Sequence, residues 1–233
     1  MSKMRAGTLY VVSTPIGNLE DITNRAIKIL ASVKYILCED TRVTKKILNK
    51  YNISIKMISY NEKNEINKIS KVVSDLNNNI DIALVSDAGT PCISDPGFRL
   101  ISYIKENCLD VNVSPIPGLT AGVAALSVSG LPSDSFFFVG FLPKKKGRKK
   151  KIKELQLLKC SIILYESPYR LKRTLIDLYD ILGNRKIFIS REMTKLFEEY
   201  IYSDFQTLIE RNIQDNPKGE YVIIIAKEGY KSE

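Results

Sequence analysis

Three short stretches place residues that can bind ligand or accept a proton directly after runs of β-forming residues. The first, Ser13-Thr14-Pro15-Ile16-Gly17-Asn18, follows the apolar run Thr8–Val12. It is neither G-x-G-x-x-G nor a Walker A loop, and it has no lysine to meet a β- or γ-phosphate, so dinucleotide and nucleoside-triphosphate chemistry lose support. The second, Cys38-Glu39-Asp40-Thr41-Arg42, sets two carboxylates beside a guanidinium. Glu39 and Asp40 are candidate general bases, and Arg42 is a candidate phosphate contact. Asp40 and Arg42 read equally well as a surface ion pair of little energetic consequence. The third runs from Ser86 to Gly97 as SDAGTPCISDPG, with two glycines, two prolines and two aspartates in twelve residues. Such a loop is stiff and lets a ligand come close to the backbone. Within it, Asp95 followed by Pro96 also has the form of a helix start signal.

The chain contains no histidine. Ser-His and Cys-His nucleophilic systems and histidine metal sites are therefore excluded, and no metal is expected. A general base must be a carboxylate, Lys, Tyr, Cys or water. The four cysteines, Cys38, Cys92, Cys108 and Cys160, are far apart with no C-x-x-C, which points to reduced thiols and a cytoplasmic location. No apolar stretch approaches the length of a membrane span, and no apolar signal region is evident at the N-terminus.

The elements that must hold these loops alternate along the chain. Strand-like runs at Thr8–Val12, Tyr35–Cys38, around Met57, Ile82–Val85 and Val111–Val113 alternate with helical patterns. Ile66, Ile69, Val72, Val73 and Leu76 have clean helical spacing, stopped by Asn77-Asn78-Asn79. Asp21 is expected to cap the first helix. Strands alternating with helices imply βαβ units and a five-stranded, largely parallel sheet over residues 1–116. Pro115-Ile116-Pro117-Gly118 breaks the pattern and is the expected hinge to a second α/β domain, 117–233, with a mixed sheet. In open α/β sheets ligands bind beyond the carboxyl ends of the strands, where all three loops fall.

The charge is concentrated in one place. Lys and Arg number 35 against 26 Asp and Glu, a formal net charge of +9, and eight of the basic residues lie in Lys144–Lys153, KKKGRKKKIK. Without that segment, 27 basic residues face 26 acidic ones, so a uniformly basic coat is excluded. Lys144, Lys145, Lys146, Arg148, Lys149, Lys150 and Lys151 form a candidate flexible arm for the phosphates of RNA; a merely solvated lysine tract is the alternative. No aromatic residue interleaves the run, so base stacking is not expected there.

The segments STPIGNLEDIT, CEDTR, SDAGTPCISDPG, PIPGLTA and YESPYR together resemble one family, in order and spacing, from Leu9 to about Lys227. They are similar to the tetrapyrrole-methylase-like S-adenosylmethionine-dependent methyltransferases. Within that family they resemble the branch that methylates the ribose 2′-hydroxyl of a cytidine in small-subunit ribosomal RNA. Tetrapyrrole enzymes of this fold carry a Gly-Asp-Pro type loop where this chain has Ala88-Gly89-Thr90-Pro91, which favours the RNA branch.

The resemblance implies two α/β domains with S-adenosyl-L-methionine in the cleft between them, and a homodimer. It implies 16S rRNA in its decoding region, free or in the 30S subunit, as substrate. Carried over, Pro15, Ile16 and Gly17 would line the floor of the cleft, and Asp87, Ala88, Gly89, Ile93 and Ser94 would hold the amino-acid and ribose portion of the donor. Thr120 and Ala121 would contact it from the second domain, with Tyr165 and Glu166 nearby, Glu166 being a third candidate base. Pro217, Lys218, Gly219 and Glu220 would help enclose the adenine. Many relatives are expected to continue with a further C-terminal helical segment, whereas this chain ends at Glu233. Two rival readings stand beside this one: a same-fold enzyme for a small molecule such as a tetrapyrrole, and a non-catalytic rRNA-binding assembly protein.

Overall fold

A computed structural model of the chain describes residues 6–211 and 218–231. They form two units, Met1–Thr120 and Ala121–Glu233, each with its own sheet. Among the described residues no helix is long and apolar enough to cross a membrane. All four cysteines are free thiols.

The first unit is a five-stranded sheet, all parallel, made of β1 (Thr8–Val12), β2 (Tyr35–Cys38), β3 (Lys56–Ser59), β4 (Ile82–Val85) and β5 (Asn112–Ile116) in the order β3-β2-β4-β1-β5. Four helices connect them: α1 (Asn24–Ser32), α2 (Thr41–Lys50), α3 (Glu65–Asn77) and α4 (Phe98–Asn107). The two-residue period of a strand explains the layering. Ile36, Cys38, Ala83 and Val85 point to one face, packed against Ala26 and Leu30 of α1 and Ile47 and Leu48 of α2. Tyr35, Leu37, Ile82 and Leu84 point to the other, against Val72 and Leu76 of α3 and Leu100 and Ile104 of α4. The near-continuous apolar runs of β2 and β4 follow, because both strands are covered on both faces.

This topology has a switch point. From β1 the chain leaves through α1 on one face and crosses to β2. From β4, the neighbour of β1, it leaves through α4 on the other face and crosses to β5. Adjacent strands whose connections depart to opposite faces leave a crevice at their carboxyl ends, and the loops there are 13–18 and 86–97.

Several local expectations need correction. Asp21 does not cap α1: residues Leu19–Asp21 form a 3₁₀ turn capped by Asn18, and the Thr23 hydroxyl accepts from the amide of Ala26 to start the helix. Nor does Asp95 cap α4, which begins at Phe98 with Gly97 at its cap, φ +125°. Pro115 and Ile116 belong to β5; a proline is tolerated there because β5 is an edge strand paired only with β1. Asn77-Asn78-Asn79 ends α3, with Asn79 in the left-handed region at φ +60°.

The second unit has α5 (Ala121–Val128), β6 (Phe136–Phe141), α6 (Arg148–Gln156), β7 (Ser161–Glu166), α7 (Leu171–Leu182), β8 (Lys186–Arg191), β9 (Glu199–Asp204), α8 (Phe205–Glu210) and β10 (Tyr221–Ile225). The sheet order is β6-β7-β10-β8-β9; β6 and β7 are parallel and the remaining pairs antiparallel, a mixed sheet. Ile162, Leu164, Ile187, Ile189, Ile223 and Ile225 pack under α6, α7 and α8. The alternate residues Ile163, Phe188, Val222 and Ile224 pack under α5.

Candidate active site

In the first unit, the loops after β1, β2, β4 and β5 are tied to one another at the carboxyl edge of the sheet. Thr14 and Gly89 form a two-way backbone bridge: the Thr14 amide donates to the Gly89 carbonyl at 2.8 Å, and the Gly89 amide to the Thr14 carbonyl at 3.1 Å. The Thr14 hydroxyl donates to the carbonyl of Ser86 at 3.1 Å. The amide of Asp40 donates to Asp87 Oδ1 at 3.0 Å, which joins the β2 loop to the β4 loop.

Thr90 is the hub. Its hydroxyl donates to the Leu119 carbonyl at 2.9 Å and lies 2.9 Å from Ser13 Oγ and 3.1 Å from Thr120 Oγ1. A hydroxyl has one proton, so with that proton on Leu119 the Ser13 and Thr120 hydroxyls are the donors to Thr90. Gly118 lies so close to Ser13 that a Cβ there would be 2.6 Å from the Ser13 Cβ, which explains the glycine in the β5 loop. Gly89 is buried with φ +82°, the left-handed region that favours glycine, and a Cβ there would be in ordinary contact, 3.5 Å, with Ile16 and the Leu119 carbonyl. Between them, Cys92 at φ +71° and Ser94 at φ +66° hold left-handed conformations. Each such residue costs about 1–3 kcal/mol, and such outliers cluster at functional sites.

The electrostatics of this edge are acidic. Glu39, Asp87 and Asp95 are half-buried. Burial, then the charges of Asp87, Glu62 and Asp40, raise the pKa of Glu39. Burial also raises that of Asp87, and the amide of Asp40 opposes it. Asp95 is pushed up to about 6, chiefly by burial and next by Glu39, with Ser86 opposing. Asp40 behaves in the opposite way. Arg42 grips it through Nε at 3.0 and 3.1 Å and through Nη2 at 2.5 Å, which holds its carboxyl down at about 2. Asp40 also caps α2 by accepting from the Arg42 amide at 2.8 Å. The Asp40–Arg42 pair is thus both a cap and an exposed ion pair, and Glu39 is the carboxylate that takes no hydrogen bond from the described residues.

The structure thus brings together Pro15, Ile16 and Gly17 on the β1 loop, Asp87, Ala88, Gly89, Ile93 and Ser94 on the β4 loop, Glu39, Asp40 and Arg42 after β2, and Thr120 after β5. Ser13, Thr14 and Thr90 lie inside these loops with no local pattern to mark them, and their hydroxyls are what join the loops. Among the described residues no group of three or more His, Cys, Asp and Glu side chains is placed to hold a metal ion.

The remaining predicted residues lie in the second unit. Ala121 begins α5, and the next amide, of Gly122, donates to the hydroxyl of Tyr165 at 3.0 Å. Lys218 is exposed, its carbonyl accepting from Arg191 Nε at 3.0 Å, and Gly219 lies against Glu192. Pro217 lies outside the described residues. Glu166 is not an accessible base. It is 2% exposed and saturated, accepting from Thr174 Oγ1 at 2.5 Å and from the Ser167 amide at 2.8 Å, with Arg170 at 3.3 Å.

The same buried chain corrects the reading of the basic run. Arg148 is 4% exposed, donating from Nε to Asp177 at 2.6 Å and from Nη2 to Thr174 at 2.7 Å, so its guanidinium is unavailable to a phosphate. Arg170 Nη2 holds the carbonyl of Leu142 at 2.6 Å, which fastens the start of the turn before α6. Residues 148–153 are helix α6, not a flexible arm. Lys144, Lys145, Lys146, Lys149, Lys150 and Lys153 are exposed, while Lys151 is half-buried and pairs with Glu154 at 3.6 Å.

A family model described as Tetrapyrrole (Corrin/Porphyrin) Methylases matches residues 8–209. Over 229 residues the chain is 48% identical to the ribosomal RNA small subunit methyltransferase I of Halalkalibacterium halodurans, covering 97% of this chain and 78% of that protein. Over 220 residues it is 42% identical to the protein of the same name from Thermotoga maritima, covering 94% and 98%. Among solved structures, the fold is similar to the methyltransferase CobJ, with TM-score 0.71, 15% identity and coverage of 98% of this chain and 97% of that chain. It is also similar to a uroporphyrin-III C-methyl transferase from Thermus thermophilus complexed with S-adenyl homocysteine, with TM-score 0.65, 16% identity and coverage of 94% and 97%. At those identities the structural likeness speaks for the fold alone. The chain belongs to the tetrapyrrole (corrin/porphyrin) methylase family and, within it, groups with the proteins named ribosomal RNA small subunit methyltransferase I.

Proposed function

We propose that this chain is an S-adenosylmethionine-dependent methyltransferase of small-subunit ribosomal RNA, and that its acceptor is the ribose 2′-hydroxyl of a cytidine in the decoding region of 16S rRNA. The observation that carries the RNA reading is the 42–48% identity, along nearly the whole chain, to proteins named for methylating small-subunit rRNA. The basic segment, exposed on α6 and the turn before it, supports it further: a tetrapyrrole-sized substrate needs no such surface.

The residues present fit the donor. A sulfonium and an ammonium are cations, and Glu39, Asp87 and Asp95 are half-buried carboxylates that form no ion pair among the described residues; the bidentate partner of Arg42 is Asp40. Asp87, Ala88, Gly89, Ile93 and Ser94, with Pro15, Ile16, Gly17 and Thr120, would hold it, and the resemblance adds Ala121, Tyr165, Lys218 and Gly219. When bound, the donor supplies an electrophilic methyl group that needs neither metal nor acid.

The protein contributes position first. Loops cross-tied through Thr14, Gly89, Thr90 and Asp87 hold bound groups in fixed relation, and alignment of that kind is the largest share of rate enhancement open to such a site. Glu39 is the proposed base, taking the hydroxyl proton on a carboxylate oxygen; its raised affinity for protons suits that role better than Asp40, which Arg42 holds ionised. Lys144, Lys145, Lys146, Lys149, Lys150 and Lys151 are proposed phosphate contacts, with Arg42. A homodimer is part of the same reading, and sedimentation would test it.

Tritium transfer from labelled donor to small ribosomal subunits, naked small-subunit rRNA and a porphyrinoid decides between the readings. Label in a cytidine ribose is the expected result; label in the porphyrinoid alone would sink the RNA assignment, and donor binding without transfer to any acceptor would favour an assembly protein.

A further inference from the structure

The basic run has no aromatic residue within it, but the fold brings one to it. Phe137 is on β6, the edge strand of the second sheet, and the Nζ of Lys151 on α6 stands 5.6 Å from the centre of its ring. The ring is 39% exposed, and Phe136 and Phe141 on the same strand are exposed as well. On the same helix and the turn that leads into it, Lys144, Lys145, Lys146, Lys149, Lys150 and Lys153 are exposed and have no carboxylate partner among the described residues. The helix that carries four of these cations, Lys151 included, is anchored beneath by Arg148, Ile152 and Leu155. An exposed aromatic ring under a lysine that has only a loose, exposed carboxylate partner, Glu154 at 3.6 Å, on a helix and turn that carry further unpaired lysines is the composition of a single-strand nucleic-acid surface.

We propose that Phe137 is a stacking platform for an unpaired base of RNA whose phosphates follow the lysines of α6 and the turn before it. The inference rests on the RNA reading of this segment and deepens it by naming the structural class of RNA. Duplex RNA hides its base faces and offers Phe137 nothing, while an unpaired nucleotide offers a face to the ring and a phosphate to the lysines. The lysine already over the ring does not block this. A lysine on an exposed ring is worth about 2- to 5-fold in an equilibrium constant, and a stacked base roughly 5- to 150-fold. A base therefore displaces Lys151 from the ring, and its ammonium then turns to a phosphate in exchange for the exposed Glu154 pair, which is worth little.

The test is equilibrium binding of the full chain to a labelled single-stranded oligouridylate and to a fully paired RNA hairpin closed by a non-nucleotide linker, which presents no unpaired base, each over a salt series. Phe137→Leu should weaken the oligouridylate by roughly 5- to 150-fold and leave the hairpin and the salt slope unchanged. Phe137→Tyr should keep wild-type affinity for both. Lys149→Gln with Lys150→Gln should weaken both RNAs and flatten both slopes. With the wild-type protein, an oligouridylate carrying one 2-aminopurine should lose fluorescence on binding, a readout independent of any variant's folding. If Phe137→Leu binds oligouridylate as wild type does, or loses the single strand and the hairpin equally, or if 2-aminopurine is not quenched, stacking at Phe137 is wrong. Should the lysine variants also leave both RNAs unaffected, the RNA reading of the segment falls with it; if they still flatten the slopes, that reading stands and only the platform is lost.

Discussion

Asp95 shows how one carboxyl links the fold to the chemistry. Its folded pKa of about 6 lies above the ordinary 3.8, because burial and then the charge of Glu39 penalise the ionised form. An acid shifted upward stabilises the fold while both states hold the proton and loses that contribution as pH rises from the unfolded value through the folded one. For Asp95 that window runs from 3.8 to about 6. Asp95→Asn should therefore raise stability at neutral pH by about 1–2 kcal/mol, after allowing for partial solvent screening, and flatten the profile across that window. Denaturant titrations of both proteins over the window check this; a variant less stable than wild type at neutral pH contradicts it. The same substitution should weaken binding of a cationic donor, since it removes one of three half-buried carboxylates. Glu39 makes the second residue-scale case. Glu39→Gln should lower single-turnover methyl transfer by roughly 10²–10⁴-fold with the donor still bound. Asp40→Asn should leave the rate near wild type, because asparagine caps a helix as well as aspartate does and Asp40 is already committed to Arg42. Full turnover in Glu39→Gln would end the assignment of Glu39 as base.

Among the elements, α6 and α7 show what a run of like residues conceals. Arg148, Ile152 and Leu155 recur at i, i+4 and i+7 and form the buried stripe of α6, and Arg148 is locked to Asp177 and, through Thr174, to Glu166. Arg148→Ala should destabilise the second unit by about 2 kcal/mol, because it removes the buried partner of Thr174 and Asp177 and leaves Asp177 only the looser Arg173 at 3.8 Å, while the neighbouring Lys149→Ala should change stability by less than about 0.5 kcal/mol. Chemical denaturation of the two variants side by side reads the difference, and equal effects would mean that the buried pair is not what fastens α6. In the sequence the seven charges around Arg148 mask this phase, since composition alone marks all eight as solvated. The first unit was far more legible. Alternation of strands and helices placed every strand of the parallel sheet, and turn-rich segments after β1, β2 and β4 placed the loops, because covered parallel strands read as apolar runs and their carboxyl ends must carry the ligand loops. What stayed hidden were contacts between distant segments: the Thr90 hub spans 77 residues to Ser13 and 29 to Leu119, and no local pattern encodes such a meeting. Capping was misread for a related reason. Asp21 and Asp95 have the right residue type, but Asp21 is taken up in a 3₁₀ turn, and the chain runs on from Asp95 to Gly97, at φ +125°, before α4 begins.

At the scale of the whole chain, a net charge of +9 is dominated by one helix and the turn that leads into it. Long-range attraction between this protein and a polyanion should then be governed by a few exposed lysines, with the rest of the surface close to balanced. Replacing Lys144, Lys145, Lys146, Lys149, Lys150 and Lys153 by glutamine takes the formal charge from +9 to +3 and leaves every buried group of α6 in place. Each phosphate contact on a single strand contributes about 0.7 to the slope of log affinity against log salt, so the six substitutions should flatten that slope by up to about 4. Affinity for small-subunit rRNA should fall most at low salt, where counterion release is worth most, and association should slow with it. Donor affinity, which the proposed site in the first unit would set without any of these lysines, should not change. Salt series of RNA binding, read beside calorimetry of the donor, separate the two effects. A slope that survives all six substitutions would place the RNA contacts elsewhere on the chain, with Arg42 the next cation to test. A slope that collapses while the rate with saturating rRNA is kept would assign the basic helix to capture of the substrate and leave the methyl transfer step to the cross-tied loops.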